Sequence, residues 1–555
     1  MSDFKEHCSI VAKEFIQTVL IIDDGASLGD KGESAAVVDA PGDPFALEEP
    51  TVDFDTNEED SDEREMSHPL RTLELTNAFY DLGIVPGVYQ PQIRDDEDEL
   101  EFASKAVRVS ASADIVILDW MLKEQQSQYS KAIVKKILEH DKESGGRLRS
   151  IIIYTGETDL SDLRDKLLVY LNFDEIQADG DYRISGKNLI IDFYGKDKQV
   201  QINRALTEEE LPEKSIECFS ELLDGLMPVF AVRSASEIRR NIGSLTSKFA
   251  KTVDAGYLTH RSLLPSPEDA ELFMLEIFVT HLRSLLAISK ADQECLGVKA
   301  IDKWISENQI ILERDIEAGG GQFNFTKANL IEVLTDGYDS QRDDYGLKKV
   351  LASLNDKNNQ NNKLSKGKVN KILKTDIHNA FSVYSKSGDA LESIKELSVL
   401  SLFKRTRVDI SKDYPYLTQG TVIYCIGTSK YYLCVTPKCD TVRLSGVHNF
   451  SFAPLVESDK GFDLVIRDLN LTGYITLSTQ NKFFNLEHIG FAPLEGRVQC
   501  RDENGMLIFE SSDSLRKKYR WIGDLEELQA QKRVINVVGD LSRNGVDEME
   551  WLRQQ

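Results

Sequence analysis

Four short apolar runs constrain this chain most, because each one closes on a residue that can hold a cation or a phosphate. Thr18 to Ile22 ends in Asp23-Asp24, and Ile115 to Leu118 ends at Asp119. Ile151 to Tyr154 ends at Thr155-Gly156, and Leu189 to Phe193 leads into Gly195-Lys196. Runs this short and this rich in β-branched residues read as strands buried on both faces. Helical periodicity fills the intervals at 4–17, 68–82, 95–109, 129–140 and 160–171, with a further short strand at 83–88. Strands alternating with helices predict a parallel sheet with right-handed crossovers, a flavodoxin-like doubly wound α/β domain. In such sheets ligands bind beyond the carboxyl ends of the strands. The terminal acids, hydroxyl and lysine are therefore expected to converge.

Carboxylates gathered in one place repel one another unless a cation neutralises them. Mg²⁺ suits one or two carboxylates with a backbone carbonyl and a phosphate oxygen. A carboxylate can also attack phosphorus and form an acyl phosphate. A lysine adds a point charge to the phosphoryl oxygens, and a threonine hydroxyl can donate to them.

The motifs Val-Leu-Ile-Ile-Asp23-Asp24, Ile-Val-Ile-Leu-Asp119-Trp120-Met121, Ile-Ile-Ile-Tyr-Thr155-Gly and Phe193-Tyr-Gly-Lys196 resemble those of response-regulator receiver domains over about residues 15–200. The resemblance implies that Asp23 and Asp24 are Mg²⁺ ligands and that Asp119 is both a ligand and the phosphoacceptor. It further implies that Met121 offers its backbone carbonyl to the metal, that Thr155 is the switch hydroxyl and that Phe193 is the coupled aromatic. Lys196 becomes the phosphate-pairing lysine, with Lys187 and Lys198 as alternatives. The partner it implies is a sensor histidine kinase. Two departures stand out: Asp119 follows Asp24 by 95 positions, about double the family's usual spacing, and Thr155 to Lys196 is also long.

An acidic stretch explains most of the first departure. Between Pro41 and Met66 there are eleven acids and one base, with few aliphatic residues. That is too little apolar surface to offset ordering entropy, so 26–66 is expected to be a disordered insertion.

The remaining chain predicts a helical domain over 206–405, with 213–231, 235–252, 267–288, 291–307 and 325–335 as helices of a bundle. A polar linker is expected at 355–374, a β-rich barrel or sandwich at 406–512, and helices at 513–555. The net charge of -27 argues against nucleic acid as a partner. No apolar run reaches the ~20 residues needed to span a bilayer, and the N-terminus lacks a signal-peptide pattern. A cytoplasmic protein with no membrane partner is expected, its seven scattered cysteines free. Cys434 and Cys439 with His448 fall short of a four-ligand zinc set, and His260 and His281 read as structural rather than as phosphorelay residues.

No output motif, helix-turn-helix or catalytic, is visible after residue 210, so the leading expectation is a non-enzymatic phosphoacceptor acting through protein contacts. The layout, with Glu210-Leu-Pro-Glu and Tyr-Leu-Thr-His260-Arg, is similar to the phosphate-buffer proteins of Detocs-type phage-defence systems. That resemblance implies a sink drawing phosphate from a second receiver-bearing effector. The other readings are a regulator with a phosphorylation-gated effector of unrecognised type, and an adaptor whose receiver-like domain mediates homodimerisation without phosphotransfer.

Overall fold

The computed structural model describes residues 3–26, 70–91, 93, 98–123, 126–196, 200, 203–308, 314–385, 390–406, 414–479 and 486–542. Nearly all of the expected acidic insertion, and Lys198, lie outside the described residues. The chain divides into two units, residues 1–142 with 146–307, and residues 143–145 with 308–555.

The first unit begins with helix α1 (Asp3–Phe15) and strand β1 (Thr18–Ile22). There follow α2 (Thr72–Asp81), β2 (Val85–Tyr89), α3 (Glu99–Ser110), β3 (Ile115–Leu118), α4 (Gln128–Glu143), β4 (Arg149–Thr155) and α5 (Leu160–Leu171). A small antiparallel pair, β5 (Ile176–Ala178) and β6 (Arg183–Gly186), precedes β7 (Leu189–Gly195). The sheet order is β2-β1-β3-β4-β7-β6-β5, with β2 through β7 parallel and β6 and β5 added antiparallel at the edge. The doubly wound expectation thus holds in its coarse form. The inserted β5–β6 pair accounts for the long stretch from Thr155 to Lys196.

Side chains alternate across the strands, so the sheet feeds two cores. Leu20, Val116, Leu118, Ile151, Ile153 and Phe193 pack against α3, α4 and α5 on one face. Val19, Ile21, Ile117, Ile152 and Tyr194 pack on the other face with α1, α2 and two later helices, α6 (Leu211–Glu221) and α7 (Leu226–Ser247). Arg239 of α7 fastens that helix to the sheet, donating to Asp114 at 2.9 Å and to the Phe15 carbonyl at 3.1 Å. Then come α8 (Asp254–Leu263), α9 (Asp269–Ser289), α10 (Ala291–Leu296) and α11 (Val298–Glu307).

These contacts move the expected boundary. Residues 206–307 belong with the α/β unit, because α6 and α7 complete one of its two cores. Asp269–Ser289 also corrects the expectation about apolar runs, since this helix is long and apolar enough to cross a membrane by length and composition. Glu276 and Arg283 interrupt its sequence, so it contains no unbroken apolar run, yet its average suffices.

In the second unit, 355–374 is not a linker. It forms a two-stranded pair at Asn355–Asp356 and Asn362–Lys363 and a helix at Lys366–Thr375, with Leu364, Val369 and Ile372 buried. Polar residues hid a sparse set of core contacts. The β-rich region is a single ten-stranded antiparallel sheet. A bridge from Phe491 to Ser511 curls it around a core that includes Phe450, Phe452, Phe491 and Trp521. The stretch expected to be helical from 513 instead contributes strand Lys518–Leu525, and among the described residues only Glu527–Ser542 is helix there. Asp524 explains the strand's place. It accepts from the Thr421 hydroxyl at 2.8 Å and from Arg405 at 2.7 Å, which ties three strands together.

Candidate functional site

Parallel register brings four strand ends to one edge of the sheet. Ile22 pairs with Leu118, Leu118 with Ile153, and Thr155 with Gly195. Asp23, Asp119, Thr155 and Lys196 are the residues at or just past those ends. Glycine at 195 leaves room for a neighbour: a Cβ there would lie 2.6 Å from a Val200 methyl.

Lys196 organises the cluster. Its Nζ donates to Asp23 Oδ2 at 2.6 Å and to Asp119 Oδ2 at 3.1 Å, and it sits 5.7 Å from the Tyr154 ring centroid. Its backbone N–H donates to the Thr155 carbonyl at 2.7 Å. Asp24 takes a backbone donor: its Oδ2 accepts from the Lys123 N–H at 3.0 Å. Lys123 has φ of 51°, the left-handed region that is costly for a residue with a side chain. Strain of this kind persists where the surroundings over-determine it, as they do at functional sites.

Ligand oxygens of Asp23, Asp24 and Asp119 all lie within 4.8 Å of one another. Asp119 Oδ1 is buried and has no hydrogen-bond partner. One lysine serves two acids, a third acid stands beside them, and one carboxylate oxygen is bare. A divalent cation fits this donor set, since it would neutralise the surplus charge and engage oxygens that nothing else engages.

The electrostatics point the same way. Burial, together with Asp23 and Asp24, pushes the Asp119 carboxyl up to about 6 despite the opposing pull of Lys196. Burial also raises Asp24 above the usual carboxylate range. Burial alone would lower the Lys196 ammonium, but Asp119 and Asp23 together hold it above its ordinary value.

Residues 15–201 are a response receiver domain, by match to that family's model. No curated protein and no solved structure matches the chain.

The receiver domain assembles most of the residues singled out from sequence. Asp23, Asp24, Asp119 and Lys196 meet directly. Thr155 closes β4 beside them, buried, with its hydroxyl accepting from the Glu157 N–H at 3.3 Å. Met121 lies two residues past Asp119, half-buried against the core. Phe193 is fully buried, its ring centroid 6.3 Å from that of Trp120. Lys187 occupies the turn at the opposite end of β7 from Lys196.

Sequence reasoning missed three contributors. The Ser130 hydroxyl donates to the Asp119 carbonyl at 2.8 Å and steadies the loop. Lys123 supplies a backbone N–H, and Tyr154 supplies a ring face beside Lys196. Only Tyr154 carried a sequence signal, as an aromatic immediately before the strand-ending threonine.

Proposed function

We propose that Asp119 accepts a phosphoryl group from the phosphohistidine of a sensor kinase, and that the resulting acyl phosphate alters the protein contacts this chain makes. The single observation that supports this most is the buried Asp119 Oδ1 without a partner beside the lysine-bound Oδ2. A structural carboxylate would have both oxygens engaged. Asp23, Asp24, Asp119 and the Met121 carbonyl would hold Mg²⁺, which neutralises charge on the transferring group.

The chain's own residues supply the rest. A carboxylate oxygen of Asp119 forms the new bond to phosphorus as the phosphorus–nitrogen bond of the donor breaks, leaving the donor imidazole. Lys196 exchanges its bond with Asp119 Oδ2 for one to a phosphoryl oxygen, keeping its contact with Asp23. Thr155 turns its hydroxyl from the Glu157 N–H toward the same group, and the buried Phe193–Trp120 contact lies under that movement.

Purified protein incubated with a small-molecule phosphodonor and Mg²⁺ should acquire one acid-labile, base-labile adduct. Asp119→Ala should abolish it. An adduct that persists in this variant would sink the proposal. A phosphate-sink role follows from the same chemistry if the acyl phosphate has no catalytic output. Added protein should then reduce phosphate flow from the kinase to a second receiver, whereas a gated effector would gain an activity of its own on phosphorylation.

A further inference from the structure

A lysine positions its charge poorly by itself, because the ammonium sits at the end of a flexible four-carbon stem. Lys196 is nevertheless well placed, its side chain only 5% exposed and its Nζ bonded to Asp23 and Asp119. Once the bond to Asp119 is exchanged for one to a phosphoryl oxygen, a single acid is left to hold the stem. The wall behind it then matters, and that wall is Tyr154.

Tyr154 is buried on β4, and Lys196 Nζ lies 5.7 Å from its ring centroid, within reach of a cation–π contact. Its hydroxyl donates to the Leu206 carbonyl at 2.8 Å. Leu206 is itself tied to the strand that carries Lys196. Its N–H donates to the Gly195 carbonyl at 3.1 Å, and the Gly195 N–H donates to the Arg204 carbonyl at 2.9 Å. Ala205 thus lies parallel to Gly195 as a short bridge at the end of β7. Arg204 anchors that bridge. Its guanidinium donates to Asp192 Oδ1 at 2.9 Å and lies 5.0 Å from the ring centroids of both Tyr182 and Tyr194.

These contacts close a circuit around Lys196. From its backbone the path runs through Gly195 to 204–206, through the Leu206 carbonyl to the Tyr154 hydroxyl, and from the ring back to Nζ. A ring needed only for packing has no use for its hydroxyl. Here the hydroxyl is bonded to the segment that also holds the neighbour of Lys196. We propose that Tyr154 is a positioning residue for phosphotransfer: fixed by Leu206, its ring keeps Lys196 Nζ aimed at the Asp119 oxygens, where the ammonium meets the incoming phosphoryl group. Tyr154 touches neither the phosphoryl group nor the acids and acts through Lys196 alone. This role rests on Asp119 being the phosphoacceptor.

The test is a double-mutant cycle on the full-length protein, read as the initial rate at which acetyl phosphate with Mg²⁺ phosphorylates Asp119 and releases acetate. Tyr154→Phe keeps the ring and deletes the hydroxyl. In the wild-type background it should lower the rate about fivefold, the factor that one net hydrogen bond carries. In the Lys196→Ala background, followed for hours, the same change should lower it by less than about twofold, because the hydroxyl matters only through the lysine. Tyr154→Leu, which takes the ring as well, should show the same contrast with a larger loss. Assays run below the thermal midpoint of the least stable variant keep every arm folded. An equal loss in both backgrounds would assign the hydroxyl to the fold alone and overturn the proposal, as would an unchanged rate for Tyr154→Phe in the wild-type background. Either result leaves Asp119 standing as the phosphoacceptor. A wild type that acquires no Asp119-dependent adduct would instead sink that reading, and the role of Tyr154 with it.

Discussion

Two aspartates of the receiver domain with little exposure, Asp192 and Asp119, have opposite fates. Asp192 on β7 is wholly buried and fully satisfied. It accepts from Arg183 at 2.6 Å, Arg204 at 2.9 Å, Cys218 at 3.3 Å and the Tyr194 hydroxyl at 3.3 Å, and Arg183 goes on to Glu221. Although burial opposes ionisation, the two arginines hold its carboxyl below the usual range. Asp119 shares one lysine with Asp23, faces a third acid and keeps one oxygen bare. Positive charge exceeds negative around the first aspartate, and negative exceeds positive around the second. The first arrangement holds the fold together; the second stores a need for charge that a cation and a phosphoryl group can meet.

The largest effect expected from this contrast is on stability. Asp192→Ala strands two arginines and should cost about 3 kcal/mol, the range for breaking a buried ion pair, read as a fall in the thermal midpoint of the receiver domain. Asp119→Ala should leave that midpoint unchanged or raised. Equal losses in the two variants would erase the distinction.

Mg²⁺ offers the next largest shift. A ligand at a hundred times its dissociation constant stabilises by about 2.7 kcal/mol. The wild type should gain up to that amount in a magnesium titration followed by thermal melting, and Asp24→Ala should gain little. Stabilisation of both to the same degree would place the ion elsewhere.

A smaller effect separates the two aspartates by pH in metal-free buffer. Asp192 has a depressed carboxyl, so its contribution is complete above the ordinary carboxylate value and fades as pH falls through its lowered pKa. Asp119 is raised to about 6, so ionising it in the folded protein carries a penalty that grows as pH climbs from the ordinary 3.8 toward that value. Asp119→Asn should therefore melt a few degrees above wild type at pH 7, with the gap closing as pH approaches 4. A gap that is independent of pH would contradict the assignment.

The smallest expected change is none. Lys187→Ala should leave phosphorylation at the wild-type level, while Lys196→Ala should lower it sharply, both measured as adduct formed per minute from the same phosphodonor. A loss with Lys187→Ala would reopen the choice of lysine.

Much of the receiver domain was legible locally. Apolar runs of four or five residues ending in Asp23, Asp119 and Thr155 carry their own period and length, and each became a strand of the parallel sheet. Patterns elsewhere misled for physical reasons. The alternation in Lys518–Leu525 was too brief to distinguish from helix without the strands that flank it. The Asn-rich stretch around 355–374 buries few side chains, so composition suggested a linker where a hairpin and a helix stand.

The sequence by itself determined which residues end the strands and hence what chemistry the sheet edge can support, because strand length and burial are written in neighbouring residues. Only the tertiary structure decided that Lys196 is shared by Asp23 and Asp119 and that one Asp119 oxygen has no partner. Those facts depend on which distant segments meet, and no local periodicity encodes its own partner.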